Sequence, residues 1–371
     1  MNLQAYKKCL YEAYQRGEVS VEAVEQMNEL CESYGLPEKF SVVDLERVEQ
    51  PNLLFHGASE ESINRVRENE PKITVIVPTY NRSDFLCRCV DSILAQRYEN
   101  IEVIIINDCS TDNTTEVVNE KYGKNKKVIY IENETNLGPG GNRQKAYLVS
   151  TGEYIIFADD DDYYFEPEFF TKAIALFVDY SNLSMVCANS IFFDEVIKAF
   201  DFQPLTYCGI KKSEDFLFGF GAKYRKPNST FPTVFKKEIL EKADFANMKM
   251  MNDASIYMRA ACFGDVCMMK DWVGVYWFHE TNISKNLPFE FIIENLDEKN
   301  NIYDIACKQF GISRPDWLLT QQMHTINYYL HSRKLGLLKY SKLKKWIKTF
   351  GGEIKEELLD STQKRYRKEG K

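Results

Sequence analysis

The sequence predicts an α/β fold with a mostly parallel sheet, flanked by helical extensions at both ends. Three observations carry that prediction. Apolar β-branched runs recur from Pro71 onward, helical periodicity fills the gaps between them, and the fourth run ends in four consecutive aspartates. A chain of 371 residues with 44% hydrophobic and 13% aromatic content can bury a full catalytic domain with appendages.

The first seventy residues read as an amphipathic appendage, with helices expected over Leu3–Gln15 and Val21–Tyr34 that end near Gly35-Leu36-Pro37. Ile73–Val77 and Ile101–Ile106 are continuous apolar runs, the pattern of strands covered on both faces. Between them Leu86, Val90, Ile93 and Leu94 repeat at helical spacing behind a capping Ser83-Asp84. The unit then recurs: a helix after Ser110-Thr111-Asp112, a strand Val128–Ile131, a Gly-rich turn, a helix over Gln144–Val149 and a strand Tyr154–Ala158. Such alternation predicts parallel strands joined by right-handed crossovers. A helix Phe169–Val178 and a strand Met185–Asn189 follow in a less regular stretch, and Phe289–Phe310, Trp317–Leu330 and a segment after Gly336 are helical again. The expected division is 1–70 as a helical extension, 71–287 as a catalytic domain with halves 71–165 and 166–287, and 288–371 as a helical region.

Composition excludes several classes. A formal charge of −8 argues against a general nucleic-acid binder. No run approaches the ~20 apolar residues of a spanning helix, and Met1-Asn2-Leu3-Gln4 opens no export signal. The expected location is the cytoplasm, with its membrane face left open. Ten scattered cysteines then read as reduced thiols.

The chemistry concentrates at strand ends. Asp159, Asp160, Asp161 and Asp162 repel one another, so the run calls for a counter-charge, and hard oxygen ligands suit Mg²⁺ or Mn²⁺. The plainer reading is a solvated acidic turn. Placed after a parallel strand, the run lies where open α/β sheets bind ligands. Pro78-Thr79-Tyr80-Asn81-Arg82 follows the first strand, where proline stops the ladder and Thr79 and Tyr80 offer a hydroxyl and a ring to a base. Asn107-Asp108 follows the second and offers acceptor oxygens. Asn136-Leu137-Gly138-Pro139-Gly140-Gly141-Asn142-Arg143 follows the third, a loop able to approach a ligand and ending in a cation.

Taken in order, Val77–Arg82, Asn107–Asp112, Asn136–Gly138 with Arg143, and Phe157–Asp162 resemble the family-2 inverting glycosyltransferases, which have the GT-A, Rossmann-like nucleotide-sugar fold. The resemblance covers residues 72–165 well and extends more weakly to about residue 285. It implies that Thr79, Tyr80 and Asp108 hold a nucleotide base, usually uracil, within a nucleotide-sugar site that also takes in Pro78, Asn81, Arg82, Gly138, Arg143, Asp159 and Asp160. It further implies that Asp159 contacts ribose or nucleotide, that Asp161 holds a divalent metal on the diphosphate, and that Asp162 assists. Two departures stand out: Asn107 and Cys109 replace an acid and a glycine of the family's usual D-D-G-S, and Asn142-Arg143-Gln144 stands where A-R-N is common.

The family's base comes from an E-D pair that opens a helix. Met251–Arg259 resembles that segment with Asn252 for the glutamate, which makes Asp253 the candidate base, the competing reading being a helix cap. His279, in Trp277-Phe278-His279-Glu280-Thr281-Asn282-Ile283-Ser284, resembles the H-x-x-N-x-S ending, where a histidine can reach metal or diphosphate; a structural role is the alternative. Trp272, Tyr276 and Trp277 read as core rather than as a sugar platform. Lys223–Asn228 reads as a solvated basic loop. Arg333–Lys348 carries seven basic residues and no acid, with Leu343, Trp346, Ile347 and Phe350 at helical spacing. This stripe suits docking on the catalytic domain or a second subunit, with an anionic membrane as the alternative.

The expected activity is metal-dependent, inverting transfer of a hexose or N-acetylhexosamine from a UDP-sugar donor to a hydroxyl of a glycan acceptor, in surface polysaccharide or glycoconjugate synthesis. The alternatives are a sugar-phosphate nucleotidyltransferase and a catalytically inactive transferase-like assembly protein. The first is disfavoured because Pro78–Arg82 is not a Gly-rich loop bearing lysine or arginine of the kind usual straight after the first strand in those enzymes.

Overall fold

The computed structural model describes residues 57–197, 199–201, 204–280, 288–332 and 337–369. The two helices expected over Leu3–Gln15 and Val21–Tyr34 lie outside them. The described chain opens with α1 (Glu60–Glu68), whose N-cap Ser59 accepts from the Ser62 amide. Asp179 then ties Ser59 and Ser62 to the body of the protein.

Three βα units and a fourth strand follow: β1 (Ile73–Thr79), α2 (Ser83–Leu94), β2 (Ile101–Asn107), α3 (Thr114–Tyr122), β3 (Val128–Glu132), α4 (Gly138–Val149) and β4 (Tyr154–Phe157). β1 pairs in parallel with both β2 and β4, and β2 with β3. The continuous apolar runs are explained by burial on both faces. Ile73, Val75, Val77, Val103 and Ile105 enter one core, while Ile76, Ile104, Ile106 and Ile155 enter the other.

One local expectation changes. β1 runs through Pro78, which pairs with Ile106, and on to Thr79, which pairs with Asn107. The Ile76 carbonyl accepts from Ala158 on the β4 side, so the alternation turns the missing amide of Pro78 to that same side, beyond the last β1–β4 pair at Ile76 and Phe157. The β2 ladder therefore continues undisturbed.

The sheet then becomes mixed. After β5 (Tyr163–Tyr164) and α5 (Phe169–Asp179) come β6 (Leu183–Asp194), β7 (Ala199–Asp201), β8 (Gly209–Lys211), α6 (Ser213–Gly219), β9 (Thr233–Lys236), α7 (Lys237–Lys242), α8 (Asp253–Ala261) and β10 (Asp265–Phe278). The strand order is β3-β2-β1-β4-β9-β6-β10-β5, with β7 on β6 and β8 on β10. β9 runs antiparallel to both β4 and β6, whereas β10 is parallel to β6.

The chain ends in α9 (Phe289–Phe310), α10 (Pro315–Ser332), α11 (Leu337–Phe350) and α12 (Lys355–Glu369). Leu343, Trp346 and Ile347 are buried in the core that also holds α8 and α9, and Trp346 donates to Asp297 at 2.7 Å. The apolar stripe of α11 therefore docks on this chain itself, although Phe350 stays exposed. Trp272 and Trp277 are buried, as core residues should be. No disulfide links the described cysteines.

Candidate active site

The loops after β1 to β4 are bound to one another. Asn81 Oδ1 accepts from the Thr111 amide at 2.7 Å, and the Asn81 amide donates to Ser110 Oγ, so the first loop is fastened to the second. Asn107 Oδ1 accepts from the Ser110 amide and closes the turn. Cys109 adopts φ 63°, so the position where the resembling family carries glycine does require the left-handed conformation, here borne by a cysteine.

Asp108 fastens the second loop to the third. One carboxylate oxygen accepts from the Leu137 amide at 2.7 Å and Asn133 Nδ2 at 3.0 Å, and the other from the Gly138 amide at 2.9 Å. Its role within this chain is that of a cap. With Pro139 in the first turn, it lets α4 begin at Gly138, where the sequence suggested a loop; Gly138 itself sits at φ 72°. The glycines are thus the first turn of a helix that aims Arg143 at the acids. Of the ~four acceptor positions of a carboxylate, one on Asp108 remains for a ligand.

The aspartates meet two arginines and a histidine. Thr79 Oγ1 donates to Asp160 at 2.7 Å, so its hydroxyl is turned to the acid. Arg82 Nη1 reaches Asp160 at 3.1 Å and Asp161 at 2.8 Å. His279 Nε2 lies 2.9 Å from the same Asp161 oxygen. Arg143 Nη2 donates to Asp159 at 2.5 Å, while the Trp277 amide donates to Asp162. Tyr80 is half exposed at the rim, and Pro78 is buried within β1.

Negative charge exceeds what these partners neutralise. Burial, with Asp161 next to it, pushes Asp160 up to about 7 against the pull of Arg82. Burial and the charges of Asp161 and Asp159 push Asp162 well above the usual carboxylate range. The second Asp162 oxygen is buried without a hydrogen-bond partner among the described residues.

This donor set fits a divalent cation. Asp161 would offer hard oxygen and His279, just past the end of β10, an imidazole nitrogen, a pairing that Mn²⁺ accepts, and the buried Asp162 oxygen is consistent with a missing counter-charge. Among the described residues no three such side chains form a self-sufficient cage.

Asp253 comes from a different stretch of the chain, at the start of α8. The cap of α8 is Asn252, whose Oδ1 accepts from the Ser255 amide at 2.9 Å, so the Asp253 carboxylate is not consumed as the cap. It lies 3.5 Å from Arg143 Nη1 and 3.6 Å from Lys226 Nζ, and its side chain is one quarter exposed. The loop read as solvated thus contributes Lys226 to the site. Arg143 is buried and bridges Asp159, Asp253 and the Met251 carbonyl.

Sequence reasoning missed the support beneath the acids. Arg88 donates to the Asp161 carbonyl at 2.9 Å and lies 3.8 Å over the Trp277 ring. Phe85 stacks on His279 at 4.8 Å between ring centroids. Phe85 and Arg88 are three apart on α2, so their helical spacing behind the Tyr80–Arg82 loop was the available signal. The Thr281–Ser284 part of the histidine motif lies outside the described residues.

The chain is similar to known glycosyltransferases. The family described as Glycosyl transferase family 2 matches residues 74–235. A UDP-Glc:alpha-D-GlcNAc-diphosphoundecaprenol beta-1,3-glucosyltransferase of Escherichia coli is 32% identical over 179 residues, 45% of this chain and 66% of that protein. A GalNAc(5)-diNAcBac-PP-undecaprenol beta-1,3-glucosyltransferase of Campylobacter jejuni is 30% identical over 51% of this chain and 59% of its own length. Glycosyltransferase GlyA of Streptococcus pneumoniae is 42% identical over 94 residues, yet the match spans only 13% of it. The crystal structure of S. aureus TarS 1-349 in complex with UDP-GlcNAc superposes with a TM-score of 0.53 at 18% identity, covering 80% of this chain and 90% of that one. That likeness is one of fold, and the fold is GT-A.

Proposed function

We propose, from the premise that this chain belongs through residues 74–235 to the family-2 glycosyltransferases, that it moves a hexose or N-acetylhexosamine from a UDP-sugar to a glycan hydroxyl with inversion. The observation that carries this reading is the meeting of two carboxylate sets across one guanidinium: Asp159 on the donor side and Asp253 on the acceptor side, both on Arg143. The E. coli relative, named for a UDP-Glc donor, supports a UDP-linked hexose, and both it and the C. jejuni relative, named as beta-1,3-glucosyltransferases acting on undecaprenol-linked glycans, support a β-linked product and a lipid-linked acceptor in polysaccharide or glycoconjugate synthesis.

Each residue then has a task. Tyr80 offers its ring to the base at the rim, and the remaining acceptor position of Asp108 faces a base N–H. Asp159 binds the nucleotide. Asp161 and His279 hold Mn²⁺ or Mg²⁺, which when bound stabilises charge on the departing diphosphate. Asp253 accepts the proton of the acceptor hydroxyl as its oxygen attacks the anomeric carbon. The new C–O bond forms as the bond to the diphosphate breaks on the opposite face, so an α-linked donor gives a β-linked product. Arg143 and Lys226 fix the direction of the Asp253 carboxylate.

The test pairs binding with turnover. A thermal-shift panel of UDP-, GDP-, CMP- and dTDP-sugars, with and without Mn²⁺, is expected to show metal-dependent stabilisation by the UDP class. Asp253→Asn is expected to keep that shift while turnover falls by roughly 10²–10⁴-fold. No shift with any nucleotide would favour the assembly-protein reading, and an α-linked product would exclude inversion.

A further inference from the structure

The buried side of α11 leaves its outward face well defined. Tyr340, Leu343, Trp346 and Ile347 are buried, whereas Leu337 and Leu338 are 79% and 75% exposed. The same helix carries Lys339, Lys342, Lys344, Lys345 and Lys348 and no acid. All five lysines are exposed, and none forms an ion pair among the described residues. Leu338, Lys342, Lys345 and Thr349 recur at spacings of four, three and four, which places them on one helix face.

A second helix enlarges the patch. Tyr340 stacks on Tyr366 with ring centroids 3.8 Å apart and planes 2° from parallel. That contact brings the last turn of α12, with exposed Arg367 and Lys368, to the start of α11. Exposed Lys342, Lys345 and Lys348 therefore share the outward side of α11 with two exposed leucines, on a chain whose formal charge is −8. A net negative chain is repelled by anionic surfaces on average, so such a patch dictates one orientation of approach.

We propose that the outward face of α11, with the last turn of α12, docks on an anionic lipid bilayer. The lysines meet headgroup phosphates, and Leu337 and Leu338 enter the headgroup boundary. No helix among the described residues is long and apolar enough to cross a membrane, so this contact is peripheral. The proposal rests on the surface alone and stands apart from the reaction assigned to the acidic corner.

Sedimentation of the full chain with vesicles tests it, using phosphatidylcholine alone and phosphatidylcholine mixed with phosphatidylglycerol. Wild type is expected to partition onto the anionic vesicles at least about tenfold better, and raised salt should weaken that binding. The triple variant Lys342→Glu, Lys345→Glu, Lys348→Glu should lose the preference with an unchanged melting temperature and unchanged turnover on a water-soluble acceptor. Leu337→Ser with Leu338→Ser should keep binding at low salt and lose it first as salt rises. Equal binding to both vesicle types, or wild-type binding by the triple variant, overturns the proposal. So does a dimer in sedimentation velocity that the triple variant abolishes without any vesicle binding, which would give the face to a second copy.

Discussion

Two buried clusters of charge meet the two ends of α8, at Asp253 and at Arg259, and they are built on opposite plans. Arg259 and Glu298 form a one-to-one pair, with Arg259 Nε and Nη2 donating to the two carboxylate oxygens at 2.5 and 3.0 Å and Nη1 to the Ala243 carbonyl at 2.8 Å. Both side chains are almost fully buried, and between them the charge is closed. At the end of β4, four acids face Arg82, Arg143 and His279, one carboxylate oxygen has no hydrogen-bond partner among the described residues, and Asp160 and Asp162 are shifted toward their protonated forms. A cluster that neutralises itself fastens α8 to α9. A cluster with surplus negative charge is prepared for cations that arrive from outside.

The contrast is broken most directly at Asp161. Asp161→Asn is expected to lower turnover by at least about a thousandfold, roughly 4 kcal/mol of barrier, while the melting temperature of the metal-free protein holds or rises because repulsion is relieved. Unchanged turnover in a chelator-sensitive assay would remove Asp161 from the metal site. At the closed pair the signs reverse. Arg259→Met strands the Glu298 carboxylate and should cost about 3–5 kcal/mol in denaturant unfolding, and adding Glu298→Leu should recover most of it. A variant that unfolds like wild type would show that the pair fastens nothing.

The smallest effect sharpens the comparison through pH. The folded-state value of Asp160, about 7, exceeds its ordinary 3.8, so the folded protein holds a proton that the unfolded chain releases. The stability gained from that proton is fully present below about pH 4 and is lost as pH rises through about 7. Asp162 acts in the same direction. The melting temperature of metal-free protein should fall by roughly 5 °C between pH 5 and pH 8, and Mn²⁺ should restore much of it at pH 8. A flat profile would mean that the surplus charge is already neutralised.

The first half of the fold was legible because each βα unit announces itself locally. Ile73, Ile101, Val128 and Tyr154 open strands where the apolar runs begin, and Phe289–Phe310 is the helix its periodicity describes. β10 was not legible as a strand, since Lys270 and Asp271 interrupt its apolar pattern and its pairing with β6 and β5 spans long sequence separations. Yet β10 delivers His279 to Asp161, so the histidine could be named from a motif while its path could not. α4 began earlier than its glycines suggested because the signal for its start is Asp108, about thirty residues upstream in another loop. The last helical segment proved to be two helices, broken at Gly351-Gly352. The cap at Asn252 was the substitution that separated the roles of the two residues opening α8.

Arg143 holds three acceptors in different directions: a carboxylate at the tip of one strand, a main-chain carbonyl, and a carboxylate on a helix from the far side of the domain. Only a planar fork of donors can address all of them together, whereas an ammonium is a point charge that must choose. The position therefore demands a shape as well as a sign, and a lysine there would leave the molecule cationic at residue 143 while unlinking Asp159 from Asp253.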